Sequence, residues 1–86
     1  MMEGDKKELT LMDYKQLFES LYPQLCVFAH GYLNDMETAK ELVQEVFVMV
    51  WENRVTFPNE NHRTGYFYSA VKKECFNYLK TNVFLN

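Results

Sequence analysis

Apolar side chains recur at spacings of three and four along three segments, and this periodicity constrains the fold more than any other feature of the sequence. The segments cover about residues 11–33, 35–54 and 64–80. Such spacing places apolar side chains on one face of a helix, whereas a half-buried strand would alternate them with polar ones. No segment shows that alternation. The pattern predicts an all-α fold, a compact bundle of three to four helices.

The number of helices depends on Pro23, which interrupts the first pattern. A proline inside a helix lacks the N–H group and clashes with the preceding turn. We therefore expect either a kink or a split into two helices. In the second case the new helix starts at Tyr22 or Pro23, because proline fits the first turn of a helix.

The boundaries of the other two helices follow from polar residues. Asp35 is a good N-cap and is expected to begin the second helix, which ends near residue 53 or 54. A polar loop is predicted for residues 56–62, because this stretch contains proline and asparagine. The third helix is expected from about Thr64 to Lys80.

The length of 86 residues, of which 48% are apolar, fits one small domain. We expect a flexible N-terminal segment over residues 1–9, the helical domain over 10–81, and a linker stub or tail over 82–86. A chain this short buries about 60 to 65% of the surface that its unfolded form exposes. It therefore suits a docking surface better than a deep pocket, and large enzyme folds are excluded.

The charged residues are divided unevenly along the chain. Residues 1–61 carry five basic and eleven acidic side chains, a net charge of −6, whereas residues 62–86 carry four basic and one acidic, a net charge of +3. The overall charge of −3 argues against a nucleic-acid-binding protein when it is taken alone. The division predicts two different partners, one of which is a polyanion that meets the basic end.

Catalytic, metal and membrane sites find little support. Cys26 and Cys75 match no metal or redox spacing and are expected to be buried thiols in a reducing compartment. His30 and His62 lie in separate segments with no nucleophile at a matching distance. The longest apolar run, Val46–Trp51, is too short to span a bilayer. We expect no enzyme activity, no cofactor, no metal, no membrane insertion and a cytoplasmic location.

The second helix has an outer face, called here the acidic face, that carries carboxylates, an amide and one apolar side chain. Its members lie within about 100° of one another around the helix: Glu41, Gln44, Glu45, Val48 and Glu52. One interpretation is a solvated face with a single exposed valine, which is common. The other is a docking surface in which Val48 loses water on contact and the carboxylates pair with a basic partner.

The third helix has an outer face, called here the basic face, that lacks carboxylates. It comprises Tyr66, Ser69, Lys73, Asn77 and Lys80, with Lys72 and Phe76 flanking it. Lysines neutralise phosphates, an asparagine can bond to base edges, and aromatic rings can stack on unpaired bases. Lysines on a helix also serve solubility alone, so both interpretations stay open at this point.

Three groups of residues resemble a known family. The first helix contains Phe18-x-x-Leu21-Tyr22-Pro23-x-Leu25. The second contains Leu42-Val43-Gln44-Glu45-Val46-Phe47, followed by Trp51-Glu52-Asn53, and the third contains Tyr66-Phe67-Tyr68 and Cys75-Phe76-Asn77-Tyr78-Leu79-Lys80. Over about residues 14–81 the chain resembles the second conserved region of bacterial RNA polymerase sigma factors, of the extracytoplasmic-function group.

The resemblance implies two partners. The helix with Glu41, Gln44 and Glu45 would dock on the clamp coiled coil of the polymerase core, and Val48 lies on the same face. The following loop and helix would recognise the minus-ten promoter element and hold the opened non-template strand. The residues expected on the DNA side are Asn61, His62, Arg63, Tyr66, Lys72, Lys73, Asn77 and Lys80, with Asn61 and His62 in or beside the loop that receives a flipped base.

Two departures from the family pattern support an alternative function. Family members usually carry asparagine and then a basic residue where this chain has Lys73-Glu74. A complete member also continues into a second helical domain that reads the upstream promoter element, so the chain is expected to be a fragment or a lone domain. The alternative is a protein-interaction module that does not initiate transcription, such as a decoy that binds polymerase or an anti-sigma factor.

Overall fold

Three helices account for most of the chain, and two very short strands pair a segment before the first helix with the connection between the second and third helices. The computed structural model describes residues 7–8 and 10–85. In order, the elements are β1 (Lys7–Glu8), α1 (Leu11–Leu33), α2 (Met36–Glu52), β2 (Thr56–Phe57) and α3 (Glu60–Leu85). The strands pair antiparallel, with Lys7 opposite Phe57 and Glu8 opposite Thr56. The all-α prediction is confirmed, although the strand pair was not predicted because two residues are too few to show alternation.

Of the two alternatives expected at Pro23, the split into two helices does not occur, since one helix runs from Leu11 to Leu33. Pro23 is exposed, as is Glu19, the residue whose carbonyl group the proline leaves without a backbone donor. Water can therefore bond to this carbonyl group. The buried side of α1 continues across the proline from Leu21 to Leu25, and this packing keeps the helix intact.

The start of α1 and the turn between α1 and α2 are set by side-chain caps. Thr10 and Asp13 form a capping box at the start of α1. Asn34 adopts the left-handed conformation, with φ of 56°, and its N–H bonds to the carbonyl group of His30. Asp35 then accepts hydrogen bonds from the backbone N–H groups of Glu37 and Thr38. The prediction that Asp35 caps the second helix is confirmed.

The third helix begins four residues earlier than expected. The Oδ1 atom of Asn59 accepts a hydrogen bond of 2.9 Å from the backbone N–H of His62, so Asn59 caps α3 and Glu60 is its first residue. The predicted loop over residues 56–62 is therefore wrong at its C-terminal end. The first turn of α3 contains no apolar side chain, so the apolar periodicity could not reveal where this helix begins.

The backbone of α3 also continues past the expected end at Lys80, through residues 82–85. The predicted domain limits, 10–81, stay a prediction. Most of the segment predicted to be flexible, residues 1–9, lies outside the described residues, as does Asn86.

The core lies between the three helices, and Phe47 of α2 joins them. Its ring lies 5.0 Å from that of Phe18 in α1 and 4.6 Å from that of Phe67 in α3. Phe47 and Phe67 are both fully buried. The Tyr14 hydroxyl of α1 donates a 2.6 Å hydrogen bond to the Phe47 carbonyl group. The outer faces of α2 and α3 are therefore supported by one shared core.

Candidate functional site

The acidic face is exposed along its whole length. Five exposed side chains, with Met49 beside them, surround a shallow surface depression of about 410 Å³: Glu41, Gln44, Glu45, Val48 and Glu52. Val48 is 50% exposed although it is apolar. All four residues predicted to bind polymerase therefore share one continuous surface.

One member of this face is oriented by α1. The Gln44 side-chain amide donates a 3.1 Å hydrogen bond to the Tyr22 hydroxyl. Burial raises the pKa of the Tyr22 hydroxyl above its ordinary value, and the hydrogen bond from Gln44 partly opposes this shift. Tyr22 also stacks on Phe18, with ring centroids 4.6 Å apart. Tyr22 therefore holds the Gln44 amide in place against α1.

Among the described residues, the carboxylates of the acidic face have no ionic partner. In the part of the chain that the structure describes, no cation pairs with Glu41, Glu45 or Glu52. Glu41 and Glu45 are four residues apart, and like charges at this spacing cost about 0.2 to 0.5 kcal/mol. Glu52 lies in the last turn of α2, where the helix dipole disfavours negative charge. These carboxylates weaken the helix slightly, and the fold gains nothing visible from them.

Residues of the first turns of α3 surround a second depression, of about 550 Å³. It is lined by Asn61, His62, Gly65, Tyr66 and Ser69. Asn61 and His62 lie on the first turn of α3, beside the preceding loop and not in it. The Oδ1 atom of Asn59 lies 3.1 Å from the His62 Nδ1 atom and so orients the imidazole.

One residue that lines this depression is Gly65, at a helical position. A glycine inside a helix costs roughly 0.5 to 1 kcal/mol relative to alanine. A Cβ atom at residue 65 would meet nothing within 4 Å, so no neighbour in the described structure requires the glycine. Its absence of a side chain leaves the depression open to a ligand.

A third depression, of about 340 Å³, connects the first two surfaces. It is lined by Met49, Tyr66, Ser69, Ala70, Lys73 and Glu74. Met49 also borders the acidic face, and Tyr66 and Ser69 also line the depression at the start of α3. The Phe57 ring meets Tyr66 edge to face at 5.3 Å and fixes the orientation of its ring. The acidic and basic faces therefore adjoin, with Met49 between them.

The remaining residues predicted to bind DNA are spread along α3. Lys73, Asn77 and Lys80 are exposed on the basic face, and the Lys72 ammonium group lies 5.7 Å from the Phe76 ring centroid. Arg63 differs, because its side chain is only 25% exposed and lies 3.5 Å from a Glu60 carboxylate oxygen. It points about 80° around α3 from Lys73. It lies at the edge of the basic face, about 40° around α3 from Asn77, and its role in DNA binding stays a prediction.

The described residues contain no candidate metal site, and their two cysteines are buried. They contain no group of three or more histidine, cysteine or acidic side chains arranged to hold a metal ion. Cys26 and Cys75 are buried free thiols, as expected. Burial, and then the nearby Glu74 carboxylate, raise the pKa of the Cys75 thiol, which keeps it protonated. None of the described helices is long and apolar enough to cross a membrane.

Comparison with known families shows which family the chain that carries these two faces belongs to. Residues 17–83 match the family described as sigma-70 region 2. The chain belongs to the sigma-70 region 2 family. This range includes both the acidic and the basic faces. No curated protein and no solved structure matches the chain.

Membership gives the general role of this region 2 domain. Domains of the family bind the RNA polymerase core and take part in promoter melting, and they are transcription-initiation modules without enzyme activity. Three supporting residues were missed in the sequence: Met49, Phe57 and Asn59. Asn59 had a signal, since asparagine is a preferred N-cap. The positions of Met49 and Phe57 depend on how helices cross and could not be read from periodicity.

Proposed function

We propose that this region 2 domain, of the extracytoplasmic-function type, docks its acidic face on the clamp coiled coil of RNA polymerase. Its basic face then holds the opened non-template strand of the minus-ten promoter element. The observation that carries the proposal is that Met49 borders both the acidic face and the depression lined by Tyr66 and Lys73. A domain docked through α2 would thereby place α3 directly beside the polymerase surface, where a strand could lie between them.

The charges of α2 support the docking half of the proposal. The carboxylates of Glu41, Glu45 and Glu52 pair with no cation among the described residues. They are unfavourable for the isolated helix, and a basic partner would relieve that repulsion. Val48 and Gln44 supply an apolar and a hydrogen-bonding contact at the same site. Loss of water from Val48 would add affinity in the centre of the contact.

The composition of α3 supports the strand-binding half. Stacking of a base on an aromatic ring contributes about 1 to 3 kcal/mol, comparable with the few kcal/mol needed to extrude a nucleotide. Tyr66 provides such a ring, and Asn61 and His62 provide hydrogen-bonding groups in the adjoining depression. Duplex DNA is a poorer ligand, because three or four phosphate contacts give weak, salt-sensitive binding and α2 repels the backbone.

The docking half is tested with a fragment of the polymerase clamp that contains the coiled coil. Glu45→Lys should weaken binding at least tenfold, and Gln44→Ala should weaken it less, since only one hydrogen-bonding group is lost. Glu19→Lys is the matched control, because Glu19 is equally exposed but lies on α1. Equal affinities for wild type and Glu45→Lys would remove the acidic face from the proposal.

The strand half is tested with a fluorescent non-template oligonucleotide of about 12 nucleotides. The double variant Lys73→Glu with Lys80→Glu should bind at least tenfold more weakly, and its affinity should depend less on salt between about 50 and 200 mM. Lys15→Glu on α1 is the control for charge alone. If the affinity for the oligonucleotide does not change with salt and is the same for wild type and the double variant, the strand-binding half is disproved.

One observation favours a second candidate, a module that occupies polymerase or an anti-sigma factor without initiating transcription. Glu74 lines the same depression as Lys73 and Tyr66, so a carboxylate borders the proposed path of the strand. A non-initiating domain would bind the clamp fragment with normal affinity and show no salt-dependent binding of the oligonucleotide. That result would select the second candidate over the first.

A further inference from the structure

Phe76 is an exposed aromatic residue in a basic environment. Its side chain is 49% exposed. Lys72, Lys73 and Lys80 lie four residues before it, three before it and four after it, the spacings at which helix side chains are neighbours. All three lysines are exposed. Glu74, the nearest acidic residue along α3, points about 160° around the helix from Phe76.

The Phe76 ring is supported from one side by a column of aromatic residues. Tyr32 of α1 meets it edge to face, with ring centroids 5.3 Å apart and an interplanar angle of 90°. Phe28 contacts Tyr32 at 5.3 Å and Tyr68 at 4.9 Å, both nearly perpendicular. A ring held in this way loses little conformational freedom when a flat ligand stacks on it.

Phe76 lies to one side of the basic face, about 80° around α3 from Tyr66. Ten residues separate them, or about 15 Å along α3. This distance corresponds to about four nucleotides at the 3.4 Å rise of a stacked strand and to fewer in an extended one. Lys73 is exposed between the two rings and borders the Tyr66 depression.

We propose that Phe76 is a second stacking position for unpaired nucleic acid, with Lys72, Lys73 and Lys80 binding the phosphates around it. This inference rests on the proposed strand-binding function and extends it by one named contact, from the Tyr66 depression towards the C-terminal half of α3. The ligand is a single strand, because the faces of duplex bases are covered by their neighbours. In the free domain the Lys72 ammonium group lies over the ring, and it moves to a phosphate when a base takes that place.

The test measures binding of a fluorescent oligothymidylate of about 12 nucleotides to the full chain at low salt. Phe76→Leu keeps an apolar contact for Tyr32 but removes the aromatic face, and it should lower the affinity about 5- to 100-fold. Phe76→Trp should bind at least as tightly as wild type. Val27→Ala, an exposed apolar position on α1, should have no effect.

A spectroscopic measurement separates stacking from a general change in the helix. Trp51 is the single tryptophan, so Phe76→Trp in a Trp51→Phe background carries only the introduced indole. Its fluorescence should be quenched when the oligothymidylate saturates the protein. Absence of quenching at saturation, or wild-type affinity of Phe76→Leu, would overturn the inference.

The outcomes also distinguish this inference from the function on which it rests. If wild type and Phe76→Leu bind the oligonucleotide equally well, but the double variant Lys73→Glu with Lys80→Glu does not bind it, only the stacking position is wrong. If wild type shows no salt-dependent binding, the strand-binding function and the stacking position both fall. If Phe76→Leu instead loses binding to phosphatidylserine vesicles alone, the exposed ring serves a lipid surface and the inference is overturned.

Discussion

The acidic and basic faces rest on the same core but are built in different ways. The acidic face belongs to a helix that is capped by Asp35 and stabilised by a strongly buried opposite side. Its charges repel one another without partners in the described structure. The basic face belongs to a helix whose first turn is polar and depends on the Asn59 cap. The acidic face therefore combines a well-buried helix with mutually repelling charges, whereas the basic face depends at its start on one cap and along its length on aromatic supports.

The largest effect is expected from a substitution in the core that supports both faces. Phe47→Ala leaves a cavity where the α1 and α3 aromatic rings meet and should lower the free energy of unfolding by about 3 to 5 kcal/mol. Binding of the clamp fragment and of the oligonucleotide should both be lost as the domain unfolds. Chemical denaturation followed by circular dichroism measures the change, with Val27→Ala as a control near zero. Loss of only one binding activity would show that the faces do not share a core.

A smaller effect should separate the two faces. Asn59→Ala removes the cap of α3 and should cost about 1 kcal/mol of stability. The first turn frays, so Asn61 and His62 lose their positions and oligonucleotide affinity falls, while clamp binding stays unchanged. Asn59→Asp restores a capping oxygen and should recover the stability. Equal loss of clamp binding would contradict the independence of the acidic face.

A change of opposite sign is expected at Gly65. Gly65→Ala should raise the free energy of unfolding by about 0.5 to 1 kcal/mol, because alanine favours the helix and its Cβ atom meets nothing. The same methyl group projects into the depression that Tyr66 lines and should weaken oligonucleotide binding severalfold. Denaturation and anisotropy titrations on the same preparation measure both effects. A variant that is more stable and binds equally well would show that the depression is not a binding site.

A further effect, on the pH dependence of stability, concerns the hydrogen bond beneath α2. Burial raises the pKa of the Tyr14 hydroxyl, which donates its proton to the Phe47 carbonyl group. The unfolded chain therefore loses this proton at a lower pH than the folded one. The stabilisation is fully present below about pH 10 and is lost as the pH rises through the raised value.

Tyr14→Phe tests this pH dependence. It should cost about 1 kcal/mol at neutral pH, the typical contribution of one hydrogen bond. The variant should also lose less stability than wild type as the pH rises above about 10. The loss that remains is due to Tyr22, because burial raises the pKa of its hydroxyl as well. Denaturation curves at several alkaline pH values give the comparison. An identical decline in the variant would remove Tyr14 from this account.

The accuracy of the sequence-based prediction differed between the two helices for physical reasons. In α2 the apolar periodicity and the Asp35 cap agree, so its limits and its outer face were predicted correctly. In α3 the first turn has no apolar residue, so its start was missed. At Pro23 the local rule was overridden by packing on both sides of the proline. The position of Met49 between the faces arises from the way α2 lies against α3, which no local pattern contains.

The central claim is that α2 and α3 bind different partners at the same time, and one experiment tests it most directly. Polymerase core, the labelled non-template oligonucleotide and the domain are mixed, and binding of each partner is measured for Glu45→Lys and for Lys73→Glu with Lys80→Glu. We predict that Glu45→Lys loses the polymerase and keeps the oligonucleotide, and that the double variant does the reverse. If both variants lose the same partner, the assignment of separate functions to the two faces is wrong.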